Sequence, residues 1–189
     1  MANYNKKLSD TGLRLGEVRF SYAHVFVPRA SDLSKDEKYS VCVLVQKGDK
    51  QIEKLFNDAV EAAKTIGIAG KWGGKRPSGL KIPTLRDGDE EHPDDEAFKG
   101  MWFFNASSRS KPGVAVLANG RVTEALGEED FYSGCYGAVT VNFYPFNSGA
   151  NGVACGLNNV IKTRDGDRFS GGSTAEEDFG DLGGAGELD

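Results

Sequence analysis

The chain has 189 residues, 39% of them hydrophobic, with 23 Lys and Arg against 28 Asp and Glu. That length suits one domain able to bury about two thirds of its unfolded surface. No run approaches the roughly 18 consecutive apolar residues of a membrane span, and the start lacks the apolar stretch of a signal peptide, so a soluble, cytoplasmic protein is expected.

Residues 13–27 alternate, with Val18, Phe20, Tyr22 and Phe26 on one side and Glu17, Arg19 and Ser21 on the other, which predicts a long strand. The nearly unbroken apolar run 39–45 predicts a strand buried on both faces. Ile52, Leu55, Phe56, Ala59, Val60, Ala63 and Ile66 then recur at three- and four-residue steps, one apolar helical stripe, with Asp49 as N-cap and Gly67 as C-terminal stop. The plain role of that stripe is to pack on a sheet. Further strands are expected at 101–107, 113–118, 137–146 and 152–161, separated by Gly, Asn, Asp and Pro. Asp165-Gly166-Asp167 reads as a turn. Cys42, Cys135 and Cys155 are widely separated without a paired spacing, so buried free thiols are expected and neither a disulfide framework nor a zinc site.

From Phe169 onward the chain carries Glu176, Glu177, Asp178, Asp181, Glu187 and Asp189 and no Lys or Arg. Without these six acids the remainder holds 23 cations against 22 acids, a net charge of +1. A nominally acidic protein is thus a nearly neutral body, residues 1–170, with an anionic glycine-rich tail, residues 171–189. The tail has too few apolar residues for a core and is expected to be disordered. The body is mainly β, with one helix interposed after the early strands. An OB-type Greek-key barrel with one interposed α-helix and a disordered acidic C-terminal tail is the fold expected, a sandwich being compatible with the same elements.

Two segments carry chemistry. Residues 70–81 combine Lys71, Lys75, Arg76 and Lys81 with Trp72 and four glycines and have no helical or strand period, a flexible basic loop. Cations without adjacent acids suit phosphate oxygens, and a Trp beside them can stack on a base; a solvated loop whose Trp tucks against the barrel fits the composition equally. On the strand ending at Phe146, Val139, Val141 and Phe143 would face the core, while Tyr136, Thr140, Asn142, Tyr144 and Phe146 project the other way. Such a ringed face is a platform for unstacked bases. On residues 101–107 the more polar side, Phe103, Asn105 and Ser107 followed by Arg109, is assigned to binding; the alternative is a second core with the helix covering the aromatic face. The acids between Asp87 and Glu96 surround His92 where an EF-hand loop needs glycine, so a solvated acidic insertion is expected in place of a metal site. No nucleotide-binding loop, nucleophile elbow or zinc-protease motif is present, His24 reads as structural, and neither catalysis nor a cofactor is expected.

The runs Leu85-Arg86-Asp87-Gly88-Asp89, Phe98 to Ser107, Tyr132-Ser133-Gly134-Cys135-Tyr136-Gly137, Asn142-Phe143-Tyr144-Pro145-Phe146-Asn147 and Gly152 to Val160 resemble phage and prophage proteins taken to be single-stranded DNA-binding proteins. The resemblance spans roughly residues 10 to 180. It implies an OB-fold, no catalysis and a role in DNA replication or recombination in the host cytoplasm, similar to the replicative DNA-binding protein of short-tailed coliphages. Expected DNA contacts are Lys71, Trp72, Lys75, Arg76, Lys81, Phe103, Arg109, Lys111, Tyr136, Tyr144 and Phe146. The tail is similar to the acidic C-termini with which replicative single-strand binders recruit enzymes, with Glu176, Glu177, Asp178, Phe179 and Asp181 as the partner-binding residues, although Phe179 is not terminal. Homo-oligomerisation is left open. The rival expectation is a phage structural or assembly protein that buries its aromatic face against a neighbouring subunit.

Overall fold

The alternating N-terminal run becomes a single strand of 20 residues, β2 (Gly12–Ser31), with the short β1 (Lys6–Lys7) paired to its start. The computed structural model describes residues 2–31 and 34–169. The expected acidic tail, including Glu176, Glu177, Asp178, Phe179 and Asp181, lies outside the described residues. β2 is long enough to serve two partners: residues 12–19 pair with β8 (Tyr136–Phe146) and residues from 19 onward with β3 (Ser34–Gln46). Its alternation breaks at Tyr22, whose φ of 45° is unusual for a bulky residue. The register on β3 shifts between Ser21 and His24, which buries Ser21 and exposes Tyr22. The face expected to join Tyr22 to Val18 and Phe20 therefore ends at Phe20.

α1 (Lys50–Ala69) starts where the Asp49 carboxylate accepts the Ile52 N–H at 3.0 Å. It runs past Gly67 to a cap at Gly70. Gly67 is no stop but a point of close approach, since a Cβ there would stand 2.7 Å from the Trp72 ring. The buried stripe meets inward-facing barrel residues: Phe56 lies 5.0 Å, ring to ring, from both Phe104 and Phe143.

The acidic segment is folded. β4 (Arg86–Asp87), α2 (Gly88–Glu91) and a 3₁₀ turn (Glu96–Phe98) lead into β5 (Met101–Ser108). Lys47 Nζ lies 2.5 Å from both Asp87 and Asp89, the Asp87 carboxylate also accepts the Asp89 N–H at 2.9 Å, and the Asp95 carboxylate accepts the Ala97 N–H at 3.0 Å. The Lys47 hydrogen bonds hold both carboxyls below the usual range and raise the lysine. This segment lays Phe98 onto Cys42, Leu44 and Phe103, a second core on the outer side of β3 and β5. Two cores were the alternative reading of that sheet, but the insertion supplies the cover, not α1.

β6 (Gly113–Ala118) and β7 (Arg121–Glu124) form a hairpin around Asn119 and Gly120, whose φ values of 51° and 73° suit the Asn-Gly turn. β6 runs parallel to β9 (Gly152–Arg164), as does β5 at the single pairing Ser107 with Gly156. That pairing closes the five strands β2, β3, β5, β9 and β8 into a barrel with the OB order. Inside lie Leu13, Leu15, Phe20, Val43, Val139, Val141 and Phe143. All three cysteines are buried free thiols, and burial pushes Cys42 up to about 12 and Cys135 up to about 11.

Candidate nucleic-acid interface

Behind the buried inner row of β8, the opposite row reads Ala138, Thr140, Asn142, Tyr144 and Phe146. Asn142, Tyr144 and Phe146 face Gly156, Ala154 and Gly152 on β9. The glycines decide what the rings do. A Cβ on Gly156 would stand 3.2 Å from the Tyr144 ring and 2.6 Å from Asn142 Oδ1; one on Gly152 would stand 2.7 Å from the Phe146 ring. Both rings therefore lie across bare backbone, with Tyr144 still 44% exposed. The closing pair Ser107–Gly156 carries the surface onto β5, where Asn105 and Ser107 add amide and hydroxyl groups.

Cations stand at both ends. Lys71, Lys75, Arg76 and Lys81 are exposed on the basic loop, which is docked beside Phe146. The Trp72 indole N–H donates to the Phe146 carbonyl at 3.1 Å, Asn147 Nδ2 donates to the Lys71 carbonyl at 3.2 Å, and the Lys81 carbonyl accepts the Val153 N–H at 2.8 Å. At the other end Arg109 and Lys111 follow β5, and β2 and β3 extend as an arm that pairs Arg29 with Lys38 and carries Lys35. Arg14 stands opposite Thr140. Arg109 meets Asp36 at 3.1 Å with both side chains exposed, a pair that water screens. Among the described residues Lys71, Lys75, Arg76, Lys81 and Lys111 make no ion pair. Five-stranded barrels of this order take oligonucleotides across their second and third strands, between the loops joining strands one to two and four to five. Here those parts are β3 and β5, the β2–β3 arm and residues 147–151.

Residues 11–188 match the family described as Enterobacter phage Enc34, ssDNA-binding protein. The chain belongs to that family. It is 32% identical over 179 residues to a putative protein p50 of Acyrthosiphon pisum secondary endosymbiont phage 1, covering 90% of this chain and 93% of the relative. The fold is shared with the single-stranded DNA-binding protein from bacteriophage Enc34 in complex with ssDNA, at a TM-score of 0.71 and 24% identity over 87% of this chain and 96% of that one. It is shared too with gp2.5, the single-stranded DNA-binding protein encoded by bacteriophage T7, at a TM-score of 0.56 and 15% identity over 96% and 99% of the two chains.

Within this member of the family the expected rings separate into three groups. Tyr144 and Phe146 lie on the open strip. Trp72 and Phe103 do not, and their expected stacking role is corrected by burial. Trp72 is 9% exposed against the barrel core, and Phe103 is 2% exposed, its ring 5.2 Å from Phe98 and 5.1 Å from His92 under the Arg86 guanidinium. Trp72 instead pins the basic loop to the end of the strip. Tyr136 lies elsewhere, with the guanidinium carbons of Arg164 and Arg19 at 3.7 Å and 4.8 Å from its ring centre, and Arg19 also 4.1 Å from the Phe169 ring. Those arginines are committed: Arg19 donates to the Gly134 and Asp167 carbonyls, and Arg164 Nε to Glu17 at 2.6 Å. Beside them the Tyr132 hydroxyl donates to Asp165 at 2.5 Å and Arg168 covers its ring at 4.0 Å. Lys162 and Tyr132 hold the Asp165 carboxyl below its usual range, and burial followed by Asp165 raises the tyrosine. The cations beside this candidate surface that sequence reasoning did not single out are Arg14, Arg29, Lys35 and Lys38. For Arg29, Lys35 and Lys38 the signal was the general geometry of the barrel, whose first hairpin flanks the groove.

Proposed function

We propose that this domain binds single-stranded DNA with little sequence preference, without catalysing a reaction on it. Bases lie on Tyr144 and Phe146, each stack contributing about 1–3 kcal/mol and tolerating any base because every base has a π face. Lys71, Lys75, Arg76, Lys81, Arg109 and Lys111 follow the phosphates, joined by Arg14 and the arm cations. The observation that carries this reading is two accessible rings laid over glycine backbone between two groups of cations, of which Lys71, Lys75, Arg76, Lys81 and Lys111 make no ion pair among the described residues. Family membership and the DNA-bound relative with the same fold support it. In its biological setting the protein coats single strands during phage replication or recombination in the host cytoplasm. The anionic stretch 171–189 acts as a separate module: Glu176, Glu177, Asp178, Phe179 and Asp181 recruit replication or recombination enzymes, and the tethered acids compete for the groove at an effective concentration of order mM.

The test is the fluorescence anisotropy of labelled oligo-dT and of a duplex, titrated with intact protein and with protein truncated after Gly172. Trp72 is too buried to report. Preference for the single strand, and tighter binding after truncation at low salt, are expected. Equal affinity for duplex contradicts the DNA reading; unchanged affinity after truncation contradicts the competing tail.

A further inference from the structure

The outward row of β8 does not end at Asn142. Its first members, Ala138 and Thr140, help to line a concavity of about 730 Å³ together with Arg14, Lys111 and the side chains of Val122 and Leu126. A pocket of that size is in the range that holds small organic groups. Val122 and Leu126 are 67% and 87% exposed, large apolar side chains turned to solvent at the β6–β7 hairpin and just beyond it. The lining is mainly apolar, and its charged residues are the cations Arg14 and Lys111 and one carboxylate, Glu124. Asn159 adds a polar edge: its Oδ1 accepts the Gly113 N–H at 3.1 Å, which leaves the amide NH₂ available.

Thr140 belongs both to this concavity and to the row that continues into Tyr144 and Phe146. Residues 138 to 146 of one strand span about 27 Å at roughly 3.4 Å per residue. A single strand lying along them covers several nucleotides, within the roughly 4 to 16 that one OB fold accommodates. An apolar pocket rimmed by cations complements a base with its phosphates better than an acidic or purely apolar partner.

We infer that the concavity is a base-binding extension of the same groove, in which an unstacked nucleobase sits among Val122, Leu126 and Ala138, the Asn159 amide faces its polar edge, and Arg14 and Lys111 hold the flanking phosphates. The inference rests on the single-stranded DNA reading. It makes the β6–β7 hairpin part of the binding surface and makes affinity depend on oligonucleotide length.

The experiment titrates oligo-dT of about 4, 8 and 16 nucleotides onto wild type, the double variant Val122→Ser/Leu126→Ser, Arg14→Gln and Tyr144→Ala, with thermal unfolding of each as the folding control. Both serine positions are exposed and the changes add no charge. The double variant should bind the longest oligonucleotide about tenfold more weakly, a loss within the range of one stacked base, and the shortest as wild type does. Arg14→Gln should show the same length dependence. Tyr144→Ala should weaken all three lengths. Wild-type affinity of the double variant and of Arg14→Gln at every length, or an equal loss at every length, overturns the extension while a loss in Tyr144→Ala keeps the groove. Wild-type affinity of Tyr144→Ala overturns the groove itself.

Discussion

Two surfaces of this barrel combine arginine or lysine with aromatic rings, and they are arranged in opposite ways. In the cluster around Tyr136, Arg19 and Arg164 already cover the ring and are bound in turn to main-chain carbonyls and Glu17. The cluster fastens the end of the described chain, where Phe169 lies on Arg19, to the barrel. On the strip of β8 the rings rest on glycine, and nearby cations such as Lys81 and Lys111 lack carboxylate partners. Ring and cation composition alone therefore does not mark a candidate nucleic-acid surface; open ring faces and cations without carboxylate partners do. The same contrast divides β5, where Phe103 is sealed and Asn105 and Ser107 are accessible.

The contrast can be broken by substitution. Phe103→Ala should have the largest effect, a loss of about 3–5 kcal/mol of stability typical of a buried phenylalanine, measured by urea unfolding, while the folded protein keeps its affinity for oligo-dT. Weaker binding at unchanged stability would return Phe103 to the interface. Tyr144→Ala should do the reverse, weakening oligo-dT binding by about 1–3 kcal/mol with no shift of the unfolding midpoint. Arg19→Ala should cost about 1 kcal/mol of stability through its lost ring contacts and leave DNA affinity unchanged; a binding defect would merge the two surfaces into one.

The smallest effect concerns pH. Asp87 and Asp89 are held below their ordinary values by Lys47, so the folded state binds these protons less readily than the unfolded chain. Their contribution to stability is present above ordinary carboxylate values near 4 and is lost as pH falls through the lowered folded-state values. Wild type should lose stability on acidification more steeply than Lys47→Ala, and parallel curves would show that the pair contributes nothing measurable.

Much of the fold was legible because its signals are local. The helical stripe and the two faces of the strand ending at Phe146 follow from periodicity, and the Asp49 cap from a carboxylate placed just before the stripe. β7 was not legible, since Arg121–Glu124 is wholly exposed and has no apolar alternation, although Asn119-Gly120 marks its turn. The candidate binding surface was half legible for the same reason. Alternation tells which side of β8 or β5 a ring occupies, but the cover over Phe103 comes from residues 86–98, which fold back onto β5. For Trp72 composition left stacking on a base and tucking against the barrel equal, because the space it fills is made by Gly67 and the end of β8. Gly152 and Gly156 read in the sequence only as part of a strand, and the pairing of β9 with β8 is what shows that rings approach them.

The central claim is that unspent cations and open rings on the β8 strip hold single-stranded DNA. It is tested most directly by measuring oligo-dT affinity against salt concentration for wild type and Lys81→Ala. For about four phosphates neutralised, log affinity should fall against log salt with a slope of about −3, and loss of one contact should reduce that slope by about 0.7. Affinity independent of salt, or a slope unchanged by the substitution, would contradict it.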